Sequence, residues 1–273
     1  MERSVSMSIL NLRQAMNQAA TVFGKKNNLQ FIPASLQRIY VVNTQILSSL
    51  ITTTTLRSPF IQKKVITNKT NQPTSEFITF EQDIQNIIFS KTINGYKLGV
   101  QESKLEQVEV LFSRFQVSIP IVFRYNVSNE TEYIISNIIH WSDGISVFVP
   151  PKTKTTIYYI INVGDFAQDI EFQMTVGGTL LFNYPNMPDK KVTVHLTDKG
   201  AGDESIGDIL KRLYSLNLTA YNSQLNMIGS IRLRGTLGIN SLFIIQNNPL
   251  GQIPLPTKTQ TIPSKTSTNN LFL

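Results

Sequence analysis

The sequence contains no cysteine. That absence excludes disulfides, thiolate metal sites and cysteine nucleophiles together, and it leaves the redox compartment open. Histidine is almost as scarce. His140 and His195 are the only two, far apart and in no metal-ligand spacing such as H-E-x-x-H. Each is read as a structural residue, and no metal or cofactor is expected. No Walker or dinucleotide fingerprint occurs, and Gly200-Ala201-Gly202 lacks the strand and helix context of a phosphate loop. Glu130 and Glu132 lie two apart on an expected strand and mimic a carboxylate pair, but a solvated strand face explains them better. No catalytic residue is assigned, and the chain is not expected to be an enzyme.

Charge is sparse as well. Charged residues make up 16% of the chain against 41% apolar, which is too apolar for disorder and fits a Thr-rich β protein. The formal charge of +7 allows attraction to anionic membranes or nucleic acid. However, the doublets Lys25-Lys26, Lys63-Lys64, Lys190-Lys191 and Lys211-Arg212 are scattered, with no dense basic tract and interleaved aromatics, so nucleic acid is not an expected partner. No stretch approaches the ~18 to 20 apolar residues of a membrane-spanning helix. Any crossing would have to use strands closed into a barrel, because an open sheet edge is not tolerated in lipid. Residues 1–11 lack the apolar centre of a secretory signal, so release by another route or from a cellular inclusion is expected.

What is present reads mostly as strand. Apolar residues at a near-helical period (Ile9, Leu12, Ala15, Met16, Ala19, Phe23) predict one helix over 7–24, with Gly24 as its stop. Residues 39–51 are a β-branched run, and 60–182 are dominated by strand patterns. Turn signals fall at Asn71-Gln72-Pro73, Asn94-Gly95, Ser142-Asp143-Gly144, Pro150-Pro151 and Gly177-Gly178. A second helix is expected over 204–215, capped by Asp203 or Ser205. Strands are expected again at 228–233 and 241–246, followed by a Pro/Thr/Ser/Lys-rich tail without periodicity. Tyr40, Tyr184, Tyr214 and Tyr221 are candidates for an aromatic surface, though core packing is the plainer role for most of them. Trp141 is read chiefly as core, with an interfacial anchor as the alternative.

One segment stands out. From 115 to 127 the odd positions Phe115, Val117, Ile119, Ile121, Phe123, Tyr125 and Val127 are all apolar, and the even positions are mostly polar. On a strand this makes one greasy and one wet face. An ordinary half-buried strand has the same pattern, and so does a membrane-entering hairpin with lipid outside and water within; periodicity does not separate them. Pro120 cannot donate to a ladder. It suggests a turn, with Ile119, Pro120, Ile121, Val122 and Phe123 as an apolar tip between arms at 99–118 and 124–138. A parity shift at Ser113-Arg114 is read as a bulge. Phe115, Val117, Tyr125 and Val127 would then face lipid.

Several stretches resemble the aerolysin-like β-pore-forming toxins, in the branch of epsilon toxin and the mosquitocidal toxin MTX2. They are Val65-Ile66-Thr67-Asn68-Lys69-Thr70, Ser90-Lys91-Thr92-Ile93-Asn94-Gly95 through Gly99, and Val147-Phe148-Val149-Pro150-Pro151 through Lys154. The strand over 155–163 with Gly164 continues the match, and Gly229-Ser230-Ile231-Arg232-Leu233-Arg234-Gly235 through Gly238 closes it. The resemblance spans 65–246 in the family's order. It implies an elongated, mainly antiparallel β protein with a short N-terminal helix and one helix in the distal part. It divides the chain into 1–59 (helical and mixed, a candidate receptor-binding part), 60–182 (a pore module with its hairpin at about 100–138), 183–246 (distal β with a helix) and a tail, 247–273. It also implies a target-cell membrane, an unidentified protein, glycan or lipid receptor, and self-association into a pore. Lys258 and Lys265 are candidate activation cleavage points. One departure is the hairpin itself, which is bulkier and more aliphatic than the Ser/Thr-rich hairpins of the family. The rivals are a jelly-roll coat or movement-type viral protein and a non-lytic relative.

Overall fold

The computed structural model describes residues 8–251 and 258–266. The chain opens with β1 (Ser8–Asn11), α1 (Leu12–Lys26) and β2 (Gln30–Phe31). Three strands follow: β3 (Tyr40–Leu56), β4 (Phe60–Asn68) and β5 (Thr74–Lys97). A hairpin comes next, β6 (Lys104–Phe112) and β7 (Val117–Tyr125), then β8 (Tyr133–Val149) and β9 (Thr153–Gly177). The rest is β10 (Thr179–Tyr184), β11 (Met187–His195), α2 (Ile206–Tyr214), β12 (Leu218–Tyr221), β13 (Gln224–Pro249) and β14 (Lys258–Thr266). The fold is mainly β and elongated. At ~3.3 Å per residue, the 25 residues of β9 span about 80 Å.

Nine strands form one sheet on the path β1-β5-β13-β9-β3, with β4, β8, β12 and β14 added along it. All of its pairs are antiparallel except β1 with β5. Near mid-length one row runs Ser136, Ile87, Thr236, Asp165, Thr55 across β8, β5, β13, β9 and β3. Beyond that row β5 and β8 leave β13 and fold over β9 and β13. Phe80, Trp141, Tyr159 and Phe243 pack there as one core. A second core lies at the other end, where α1, α2 and the β6–β7 hairpin cover the sheet.

The helices start where local chemistry allows. The Asn11 side chain accepts the Gln14 N–H at 3.2 Å, and Leu12, Ala15, Met16, Ala19 and Phe23 form the buried stripe of α1. Residues 8–11, expected as helix, form β1 instead, because β5 offers them a parallel partner at Asn94–Lys97. Ser205, one of the two expected caps, closes α2 in a capping box with Asp208.

Other expectations need correction. Asn94-Gly95 lies inside β5 and Ser142-Asp143-Gly144 inside β8. Gly95 is there for close approach: a Cβ would stand 2.2 Å from the Val127 carbonyl. At Gly144 a Cβ would stand 2.5 Å from the Phe77 ring. The two expected strands at 228–233 and 241–246 are one strand, β13, with a register shift between Gly238 and Asn240. Part of the expected tail is β14, paired along β13 from Asn240 to Asn247. Glu130 and Glu132 sit in the loop before β8, not on a strand, and Glu132 binds Arg234 at 2.8 Å. Trp141 is buried in the core of the β5–β8 end.

Candidate membrane-insertion hairpin

The hairpin forms a two-stranded sheet of its own, separate from the nine-stranded one. Its register runs from Lys104 opposite Tyr125 to Phe112 opposite Val117. The turn is one coil of 3-10 helix, Ser113–Phe115, followed by Gln116 at φ 54°. The expected position of the turn is therefore corrected. Ile119, Pro120, Ile121, Val122 and Phe123 lie mid-strand in β7, and the turn sits where a bulge was expected. The parity change at Ser113-Arg114 was the turn's own signature. Pro120 is tolerated because each strand of a two-stranded ladder has an outer edge. The descending arm is also shorter than expected, since residues 133–138 belong to β8 and pair with β5.

Strand alternation gives the hairpin two faces. Val108, Val110, Phe112, Val117, Ile119, Ile121, Phe123 and Tyr125 turn inward, with Lys104 and Glu106 of the same parity at the open end, and Val110, Ile119, Ile121 and Phe123 are fully buried. They share one buried core with Phe166, Ile170, Ile231, Leu233 and Leu237 of β9 and β13. Each such side chain contributes ~1.5 to 3 kcal/mol on burial, so apolar contact dominates the docking of this element. The outer face mixes Gln107, Glu109, Ser118 and Arg124, all exposed, with Leu105, Leu111, Pro120 and Val122.

Polar attachments are few and are made largely by side chains. Ser90 Oγ donates to the Arg124 carbonyl. Thr92 Oγ1 donates to the Asn126 carbonyl at 2.8 Å, and the Tyr96 N–H donates to the Val127 carbonyl at 2.8 Å. Lys104 Nζ donates to the Thr44 carbonyl of β3 at 3.0 Å. Ser90 and Thr92 are thus part of the hairpin's seat. Their signal in the sequence was two small hydroxyl residues among the apolar inward positions of β5. Tyr125 is 1% exposed, yet its hydroxyl has no hydrogen-bond partner among the described residues. Burial, with Glu106 nearby, pushes its pKa up to about 12. An unpaired buried hydroxyl costs ~1 to 3 kcal/mol, so the base of the seat is weaker than its apolar middle.

Phe115, expected to face lipid, lies half-buried in the turn, and Val127 is buried in the loop after β7. Lys258 and Lys265 both fall in β14, Lys258 opposite Asn247. Tyr40 and Tyr221 are exposed, and Tyr40 borders a shallow pocket of about 200 Å³ with His195, Asn222 and Ser223. Tyr214 is instead bonded to Gln18 at 2.5 Å. His140 pairs with Asp83 at 2.8 Å on an exposed face, and that hydrogen bond raises its pKa. Among the described residues no three His, Cys, Asp or Glu side chains gather as metal ligands, and no helix is long and apolar enough to cross a membrane.

The sequence profile described as Clostridium epsilon toxin ETX/Bacillus mosquitocidal toxin MTX2 matches residues 24–259. A comparison with curated protein sequences gave no significant match. Among solved structures, a chain of the Cry23Aa1 and Cry37Aa1 binary protein complex superposes with a TM-score of 0.72 at 20% identity, covering 96% of this chain and 99% of that one. A non-toxic crystal protein from Bacillus thuringiensis gives 0.62 at 16% identity, covering 89% and 98%. The Mpp75Aa1.1 beta-pore-forming protein from Brevibacillus laterosporus gives 0.60 at 14% identity, covering 93% and 98%. At these identities the likeness is one of fold.

Proposed function

The chain belongs to the family of Clostridium epsilon toxin and Bacillus mosquitocidal toxin MTX2, and on that premise we propose that it permeabilises target-cell membranes by inserting the β6–β7 hairpin into an oligomeric β-barrel. The carrying observation is the hairpin's construction: a separate ladder, one apolar face, and a seat made mostly of apolar contact. Each strand has 9 residues, and a membrane β-strand needs ~9 to 11. On leaving the sheet, the inward face from Val108 to the turn would exchange protein for lipid and keep its apolar burial, with Lys104 and Glu106 of the same parity at the open end, toward the membrane surface. Barrel closure with neighbouring copies would satisfy the outer backbone groups that a lone hairpin leaves open in lipid. The reading implies a released protein that acts at a target-cell surface. The exposed Tyr40 and Tyr221, at the end of the molecule far from the β5–β8 fold-over, are candidates for receptor contact.

The tail has a defined part in this scheme. β14 covers the edge of β13 from Asn240 to Asn247, and an uncovered edge is a template for another strand. Cleavage at Lys258 would cut β14 from the chain, release that cover and allow assembly, whereas cleavage at Lys265 would remove only its last residue, Thr266. The test is dye release from liposomes carrying target-cell lipids and membrane protein, with and without limited trypsin. Trimmed chain should release dye at least several-fold faster than the full chain. Equal rates would refute activation by trimming, and silence from both forms would refute the pore.

The fold shared with a non-toxic crystal protein supports a second reading, a family member that keeps the architecture without lysis. Silence in the same assay, with the protein folded, would favour it.

A further inference from the structure

We propose that Glu109 sets the ion preference of the pore, an assignment that rests on the insertion of β6–β7. The outward face of the hairpin would become the lumen wall, and its residues follow from the register. They include Gln107 opposite Val122, Glu109 opposite Pro120, and Leu105 opposite Arg124. Across β6 and β7 the only ionisable side chains on that face are Glu109 and Arg124. Glu106 has the same charge but the opposite parity: it lies across from Phe123, on the apolar side.

Position decides which charge governs. Glu109 is three residues from the turn end of β6, about 10 Å along the strand, whereas Arg124 is seven residues from the start of β7, about 23 Å along it. Arg124 therefore stands at the far rim of the 9-residue ladder, and Arg114 lies in the turn beyond the other end. Glu109 alone is inside. Repeated around a barrel it forms a carboxylate ring within a low-dielectric wall, where field lines are focused and cations are concentrated. In the soluble protein Glu109 accepts a hydrogen bond from Ser118 Oγ at 2.7 Å across the hairpin. The same pair within a subunit would hold the carboxylate against the lumen wall. Both groups are exposed, so substitution should not disturb the soluble fold.

The experiment is the reversal potential of tail-trimmed protein in planar bilayers of target-cell lipid and membrane protein under a potassium chloride gradient. Wild type should prefer cations. In Glu109→Gln the cation-to-anion permeability ratio should fall toward one, and in Glu109→Lys it should invert. Arg124→Gln should raise the ratio and Glu106→Gln should leave it unchanged. Conductance with an unaltered ratio in Glu109→Gln, or a shift produced by Glu106→Gln instead, would overturn the assignment and leave the pore standing. Absence of any wild-type conductance would overturn both. Matching circular dichroism of the soluble variants keeps misfolding out of the comparison.

Discussion

Phe115→Asp should leave the soluble protein folded and abolish membrane permeabilisation. Phe115 sits in the turn, half-buried against the edge of the larger core, so an aspartate there can turn to water. The effect appears on insertion, when the turn, which already carries Arg114, must lead the hairpin through the hydrocarbon with a second charge in place of its one aromatic side chain. A carboxylate in mid-membrane costs ~2.5 to 3.5 kcal/mol on the insertion scale. At 1.36 kcal/mol per tenfold in rate, that slows one hairpin by about a hundredfold. Every subunit carries the same charge, so the penalty multiplies around the ring. Dye release by the trimmed variant should fall below detection, while its circular dichroism and melting curve match wild type. Wild-type release from a folded Phe115→Asp protein would mean that this turn does not cross.

Phe123→Asp should instead destroy the soluble fold. Phe123 is fully buried, beside the Tyr125 ring with centroids 5.6 Å apart. Truncation of such a phenylalanine to alanine costs ~3 to 5 kcal/mol, and a buried unpaired carboxylate adds several more. Whole-domain stabilities are ~5 to 15 kcal/mol, so Phe123→Asp should be recovered insoluble or without a cooperative melt. Phe123→Ala should fold but melt roughly 6 to 20 °C lower. A soluble Phe123→Asp protein with a wild-type melting temperature would show that the hairpin's inner face is not packed on the sheet. The two phenylalanines share one parity in the sequence, and only their places in the fold separate a turn residue from a core residue.

That contrast marks what was legible in the sequence. Alternation over 115–127 identified the amphipathic strand and its apolar face, because strand parity is a local property. The family motifs and the distal helix were also readable, since capping and periodicity act within a few residues. The turn was misplaced because Pro120 and a parity change at Ser113-Arg114 both suggest a break, and local chemistry does not rank them. Tertiary pairing ranks them: the register joins Phe112 to Val117 and leaves Pro120 on an edge strand. Gly95 and Gly144 misled for a similar reason. A glycine beside Asn or Asp reads as a turn, whereas here each makes room for an atom from a distant part of the chain. The hydroxyl clasp of Ser90 and Thr92 depends on carbonyls 34 residues away, and no pattern within β5 announces those partners. β14 escaped notice because a Pro/Thr/Ser/Lys-rich stretch has little strand signal until β13 supplies a partner.

The most direct test of the inserted hairpin uses the cysteine-free background. Single cysteines at Gln107 and Val108, adjacent residues on opposite faces of β6, are labelled with an environment-sensitive fluorophore and followed during dye release. After release the label at 108 should be quenched by a lipid-borne quencher and the label at 107 only by one dissolved in water. Dye release with both labels remaining in the soluble protein's environment, or with both quenched from the same side, would contradict insertion of β6–β7 as a barrel hairpin.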